Sequence, residues 1–326
     1  MLSKIISNLN YHNNLRSKTN KLPLASTILM VRPAAFGFNA ETAANNYFQS
    51  NPAISKEELQ QRALAEFDNM VQSLRNHDVD VLVIEDTKEP PKPDAIFPNN
   101  WLSTLPGGKL NVFPMYAPSR RIEKREEILQ KIGKHFIIQD VQDWSEYEVE
   151  GRFLEGTGSM VIDYENGMIY ACISERTSLP VLEKYAATNH FQAIVFLATD
   201  KNGMPIYHTN VMMALGEGFC VLCEEAIEEE WELIAVRQLL ESTNHTIIPI
   251  TRVQMHCFAG NMLQVKNKNG DKILVMSNAA FESLRKEQKE MLEAYSTLLP
   301  IAVPTIEEVE GGSVRCMMAE IFLQKR

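Results

Sequence analysis

The chain holds 326 residues, 45% of them hydrophobic and 23% charged, which excludes a disordered or collagen-like polymer and supplies a large core. That length makes one large α/β domain or two ordinary ones, and excludes a mini-protein held together by disulfides. With 32 basic against 42 acidic side chains the net charge is −10, a field that repels a phosphate backbone and argues against nucleic acid as a partner.

Five cysteines, Cys172, Cys220, Cys223, Cys257 and Cys316, are an odd count and point to reduced thiols. No run approaches 18 apolar residues and the start carries no signal-like apolar stretch, so the expectation is a cytoplasmic protein with no membrane partner. Residues 1–21, rich in Asn, Ser and Lys, read as a mobile or accessory segment ahead of a single domain over 22–326.

The fold is expected to begin with STILMVRP, a buried strand. Ser55 and Glu58 then form a capping box ahead of a helix whose stripe is Leu59, Ala63, Phe67, Met70, Val71 and Leu74. DVDVLVIE returns as a strand. WLSTL and KLNVFPM pair, SRRIEKREEILQKIG is a helix and HFIIQ a strand. SMVIDYENGMIYACIS turns at Glu165-Asn166-Gly167, and a helix and FQAIVFL follow. HTNVMMALGEGFCVLC, EEAIEEEWELIAVRQLLES and HTIIPI repeat the order, as do NMLQVKNKNGDKILVMS, FESLRKEQKEMLEAY and LLPIAVP. Each unit is strand, strand, helix, strand over about 50 residues.

The first unit lacks its opening strand, while SVRCMMAEIFL is an apolar strand without a unit. The fold class is therefore a five-bladed α/β propeller closed by this last strand, which removes most exposed sheet edges. A linear doubly wound sheet is the rival, but RPAAFGFNA holds one glycine where a dinucleotide turn needs several.

Loop residues with special backbone demands gather in PDAIFPNNW, YAPSRR, FLEGTGS, YHTN and EGGSVRC. A ring brings such loops to its axis, where Cys316, His208 and Glu155 would supply a thiolate nucleophile, an imidazole acid/base and an orienting carboxylate. Beside this stands the plainer reading: a cysteine in an apolar strand is most often packed core, and a lone histidine most often a hydrogen-bonded structural one. The Gly311-Gly312 pair, which lets backbone approach a ligand, favours the functional reading. Cys220 and Cys223 lie three apart on a strand and are expected to face opposite ways, as core. His256-Cys257 diverges likewise in an extended chain, leaving Cys257 as second-choice thiol. No metal set is spaced for ligation and no cofactor is called for.

These segments resemble the amidinotransferase and arginine deiminase superfamily of five-bladed propellers acting on guanidino or ureido groups. DAIFPNNW is similar to its D-x-x-F-x-x-D segment, FLEGTGS to its Glu-Gly loop, YHTN to its catalytic His strand and EGGSVRC to its Gly-Gly...Cys signature, over about residues 26–326. The resemblance implies Cys316 as nucleophile, His208 as general acid/base, Glu155 beside them and Asp94 in substrate binding. Arg120 and Arg176 fall where dimethylarginine dimethylaminohydrolases place arginines that bind the substrate α-carboxylate. This chain departs from the pattern at Asn100 and Asn210, where relatives have Asp, and at Gly158, where many have an acid. A neutral Asn can donate to a ureido carbonyl, which a carboxylate cannot. The implied activity is therefore hydrolysis of citrulline, as in the similar citrulline utilisation hydrolases. Arginine deiminase, dihydrolase or amidinotransferase chemistry, and a non-catalytic ligand-binding propeller, are the alternatives.

Overall fold

A computed structural model describes residues 24–326; the N-terminal segment 1–21 lies outside the described residues. Five three-stranded sheets are built on one plan. In the first, β1 (Thr27–Arg32) pairs parallel with β2 (Asp80–Glu85), Thr27 opposite Asp80. The helix between them, α1 (Lys56–Asn76), buries the six residues of the expected stripe. Ser55 caps it by accepting from the Glu58 N–H, but the Glu58 carboxylate turns to Arg62 one turn on, so the reciprocal arm of the capping box does not form.

The second blade carries β3 (Leu102–Leu105), β4 (Lys109–Val112), α2 (Glu126–His135) and β5 (Asp140–Asp143), and the third β6 (Val161–Asp163), β7 (Met168–Cys172), α3 (Leu179–Thr188) and β8 (Gln192–Phe196). The fourth has β9 (Met213–Gly216), β10 (Phe219–Leu222), α4 (Glu230–Ser242) and β11 (Thr246–Pro249). The fifth has β12 (Leu263–Lys266), β13 (Lys272–Ser277), α5 (Lys286–Glu293) and β14 (Thr297–Ile301). In each the first strand is antiparallel to the second and the third parallel to it, the helix forming the crossover. After α6 (Pro304–Glu310), β15 (Ala319–Ile321) pairs antiparallel with β1, Leu29 opposite Ala319, and closes the ring as expected. The antiparallel strands meet around the axis, β15 against β3 and β6 and β12 against β9. The core is accordingly divided into four clusters, most of them lying between neighbouring blades.

Several elements differ from the sequence reading. HFIIQ is not the outer strand of its blade. Phe136 bridges to Lys325 and the Ile137 N–H donates to Gln324 O, so these apolar residues pack on the tail after β15 while polar DVQD pairs with β4. The helix expected over 119–133 is broken between Pro118–Arg121 and α2, where Glu123 turns back on Arg120. FESLRKEQKEMLEAY is likewise two helices, Asn278–Ser283 and α5, each with its own N-cap. Residues 314–317 of SVRCMMAEIFL are a turn, so Cys316 precedes β15 and is not in a strand. His256 ends a short helix, Arg252–His256, capped by Cys257, and is not extended.

Candidate active site

Every inner strand is entered through a single tight turn. Residues Pro98–Asn100 precede β3, Gly156–Ser159 precede β6, Thr209–Val211 precede β9, 257–260 precede β12 and 314–317 precede β15. The Gly156–Ser159 turn packs on both Pro98–Asn100 and Thr209–Val211. The fivefold plan thus brings Asn100, Glu155, His208, Asn210, Asn261 and Cys316 to one end of the axis. Asp94, Asn100, Arg120, Arg176, His208 and Cys316 line a common cavity.

Cys316 is nearly enclosed, 5% exposed. Its Sγ accepts from two amides, Asn210 Nδ2 at 3.4 Å and Asn261 Nδ2 at 3.3 Å, both placed to stabilise negative charge developing on sulfur. His208 Nε2 lies 2.8 Å from Glu155 Oε2. The Glu155 carboxylate, fully buried, also accepts from the Tyr116 N–H at 2.9 Å and faces Arg176 Nη1 at 3.6 Å. Burial opposes its charge, but Arg176, the His208 hydrogen bond and Arg120 outweigh burial and hold its carboxyl at about 2. Burial lowers His208 to about 4 against the pull of Glu155, so the imidazole is neutral near pH 7. A neutral ring that gives its Nε2 proton to the carboxylate keeps the Nδ1 lone pair free to accept one. Gly158 permits this packing: a Cβ there would stand 2.8 Å from His208 Nδ1 and 2.6 Å from Asn100 Nδ2. The acid that relatives carry at this position would not fit, and Glu155 is held by Arg176 and the Tyr116 backbone instead.

On the facing wall Arg120 Nη1 donates to Asn100 Oδ1 at 2.8 Å, while Nε and Nη2 grip Glu123 at 2.9 and 3.0 Å. Asp94 Oδ2 is 3.7 Å from Arg120 Nε and accepts from Asn39. Arg176 lies over the Tyr207 ring at 4.9 Å and donates to Asn45 Oδ1 and Thr42 O. Glu310 ends α6 just before Gly311, whose φ of 60° is left-handed; burial and the neighbouring Asp94 push Glu310 well above the usual carboxyl range. Gln49 and Asn46 reach Glu310 from the segment that follows β1, so residues 39–49 roof the site. The space enclosed is about 20 Å³, room for about a single water. Among the described residues, Asn100 and Glu310 at this cavity leave Nδ2 and Oε1 buried without a hydrogen-bond partner, and so does Oδ1 of Asn210, which lies beside Cys316 and does not line the cavity.

All eight residues singled out in the sequence therefore meet here. Sequence reading missed Asn261, Glu123, Tyr207 and Glu310. Asn261 was recoverable, because it opens the fifth blade where Asn100, Glu155, His208 and Cys316 open or close the others. The remaining thiols are apart: Cys172, Cys220 and Cys223 are core, and burial pushes Cys172 up to about 12 and Cys223 to about 11. Cys257 does not line the cavity. Among the described residues no cluster of three His, Cys, Asp or Glu could hold a metal, and no helix is long and apolar enough to cross a membrane.

Residues 32–323, which include every one of these side chains, match the model of the eukaryotic N,N-dimethylarginine dimethylhydrolase family. The chain belongs to that family. Its fold is that of the pentein propellers. Among solved structures it is similar to ArgZ, an arginine dihydrolase from the ornithine–ammonia cycle in cyanobacteria. The apo form has a TM-score of 0.71 and 18% identity over 91% of this chain and 40% of that one. The substrate-bound N-terminal domain of ArgZ, as a cysteine-to-serine variant, gives 0.68 and 17% over 91% and 98%. A dimethylarginine dimethylaminohydrolase in adduct with S-methyl-L-thiocitrulline gives 0.63 and 15% over 91% and 100%. The family member described here spans less than half of full-length ArgZ, and at these identities the likeness is one of fold. No curated protein matches in sequence.

Proposed function

We propose that this enzyme hydrolyses the ureido group of a free amino acid, with citrulline as substrate, giving ornithine, carbon dioxide and ammonia. The observation that carries this reading is the polarity of two amides. Arginine has no acceptor, so Asn100 must turn Oδ1 to Arg120 and leave Nδ2 for the cavity, while Asn210 gives Nδ2 to Cys316 and leaves Oδ1. The unpartnered donor of Asn100, which lines the cavity, matches the C=O of a ureido group, and Oδ1 of Asn210 beside the thiol is an acceptor for its NH₂ once the substrate has opened the site. A guanidinium, all donors, leaves Asn100 Nδ2 facing another N–H.

In this reading Cys316 Sγ attacks the ureido carbon and its proton passes to His208 Nδ1, giving an imidazolium steadied by Glu155. Asn100 Nδ2 donates to the developing oxyanion. His208 returns the proton to the δ-nitrogen, the C–N bond breaks and ornithine leaves an S-carbamoyl cysteine. Water, deprotonated by the again-neutral His208, attacks the thiocarbamate carbon. Carbamate departs, Cys316 regains its proton, and carbamate decays to carbon dioxide and ammonia. Arg176 keeps Nη1 on Glu155 and takes the α-carboxylate in place of the neutral oxygens of Asn45 and Thr42, and Asp94 takes the α-ammonium. Entry requires residues 39–49 to swing out, because the enclosed space holds no amino acid.

The likeness to ArgZ favours one second reading, a dihydrolase that first removes ammonia from arginine with the same thiol. A panel of citrulline, arginine, methylarginines and agmatine, scored for ornithine and ammonia, tests both. Equal ornithine and ammonia from citrulline, with arginine inert, is expected. Citrulline accumulating from arginine or a methylarginine, with citrulline itself inert, overturns the proposal; two ammonia per ornithine from arginine selects the dihydrolase.

A further inference from the structure

We infer that Tyr207 is a positioning residue that ties the carboxylate-binding wall of the cavity to the nucleophile: its ring supports Arg176, and its hydroxyl holds the carbonyl of Gly311, five residues ahead of Cys316. The inference deepens the proposed reading and rests on its assignment of the α-carboxylate to Arg176. Tyr207 is buried and lines the cavity. Its Oη donates to Gly311 O at 2.8 Å. Burial, and after it the neighbouring Cys316, push the phenol well above its usual range, so the hydroxyl stays protonated with its one proton committed to that carbonyl. It is therefore no proton source for the reaction. The Arg176 guanidinium stands 4.9 Å from the ring centroid, in an enclosed site where a cation over an aromatic face is held more firmly than at a surface. The backbones are joined as well, because Ser174 Oγ donates to Tyr207 O at 2.8 Å and accepts from the Arg176 N–H at 3.1 Å.

What needs holding is the segment between α6 and the turn that carries Cys316. Gly311 and Gly312 have no side chains to fix them, and neither has room for one. A Cβ on Gly311, at its left-handed φ, would stand 2.8 Å from Phe48 Cβ, and one on Gly312 would stand 2.7 Å from the Phe97 ring. The segment is therefore placed by hydrogen bonds. The Gly311 N–H donates to Glu307 O at 3.0 Å and Ser313 Oγ to Glu307 Oε1 at 2.6 Å, both running back to α6. The Tyr207 bond instead runs across to the residue next to His208, and so sets the nucleophile's segment against the acid/base. Without it the Gly311 carbonyl is left buried and unpaired, and the segment must shift to find a donor. The amide contacts of Cys316 Sγ, at 3.3 and 3.4 Å, shift with it.

The two ends of Tyr207 can be removed one at a time. Wild type, Tyr207→Phe and Tyr207→Leu are compared on citrulline and on N-carbamoylputrescine, which is citrulline without its α-carboxylate. A second readout needs no substrate: the rate at which iodoacetamide alkylates Cys316, resolved by peptide mapping, with an unlabelled Cys220 certifying that the variant is folded. Tyr207→Phe keeps the ring, and should lower kcat about tenfold on both compounds with KM for citrulline nearly unchanged. It should also change the alkylation rate at least about threefold. Tyr207→Leu should add a rise of about fivefold or more in KM for citrulline, with KM or Ki for carbamoylputrescine as in Tyr207→Phe. Should Tyr207→Leu fail to fold, Tyr207→Met takes its place under the same criteria. Unchanged kcat and alkylation in Tyr207→Phe overturn the inference at the hydroxyl, and an equal KM rise on both compounds in Tyr207→Leu overturns it at the ring. If wild type turns over arginine and not citrulline, the ureido reading fails on its own. Arginine and agmatine then replace the pair, and the alkylation result stands unaltered.

Discussion

The interior of this propeller is of two kinds. Between the blades, side chains such as Phe67, Leu74, Val221 and Leu240 pack in apolar clusters, and a thiol there, Cys220, is shut away with its pKa driven up by burial. At one end of the axis the same degree of burial encloses Glu155, His208, Arg120, Arg176 and Cys316, with polar atoms left unpaired. The difference teaches that burial alone does not silence a group. The neighbours decide, and two amide donors on Cys316 Sγ make of an enclosed thiol something the blade cores cannot.

The largest expected break in this contrast comes from Cys316→Ser, which should reduce turnover about 10³-fold or more with the melting temperature unchanged, while Cys220→Ala retains turnover. Activity in Cys316→Ser near that of wild type would assign the nucleophile elsewhere. The converse substitution is Phe67→Ala in a blade core, which should cost about 3–5 kcal/mol in denaturant unfolding and leave kcat of the folded fraction intact. A changed kcat would mean that core and site are coupled.

The pH response sharpens the comparison next. With His208 lowered to about 4, more of it is protonated in the unfolded chain, so stability is lost as pH falls from about 6.5 through about 4. Glu155, lowered to about 2, adds a loss from its ordinary range of about 4.3 downward. Thermal melts should therefore decline on acidification, and His208→Asn should flatten the upper part of that decline. The acid limb of kcat/KM should lie well below pH 6.5; a limb at 6.5 would show that burial does not tune His208. The smallest effect is that of Asn100→Asp, which should shift kcat/KM from citrulline toward arginine by about tenfold, or ~1.4 kcal/mol. An unchanged ratio would remove Asn100 from substrate reading.

The blades were legible in the sequence because each repeats two short apolar strands, an amphipathic helix and a further strand. Where the reading slipped, apolar residues served a different contact. Phe136 and Ile138 pack toward the closing tail, and the true outer strand, DVQD, needs only backbone pairing at an edge. Glu155, His208 and Cys316 stood out by their glycines and their place at strand entries. Glu123 was hidden in the charged run RRIEKREE, where a side chain destined for burial looks like any solvated one. Asn261, a single polar residue between Gly260 and an apolar strand, has no local signal and is found only by superposing blades.

The closure of the ring has a temporal consequence. Cys316 sits three residues ahead of the strand that docks on β1, and the residues so joined, Leu29 and Ala319, are far apart along the chain. Long-range pairings form slowly, because the entropy of closing the loop is lost before any contact compensates it. A folding intermediate with its blades formed but the seam open would already hold His208 against Glu155, yet have its thiol adrift. On the proposed function, an open ring lacks its nucleophile at the site, so turnover would be gained only as the seam is sealed. The appearance of turnover during refolding is in effect a clock for that final stitch.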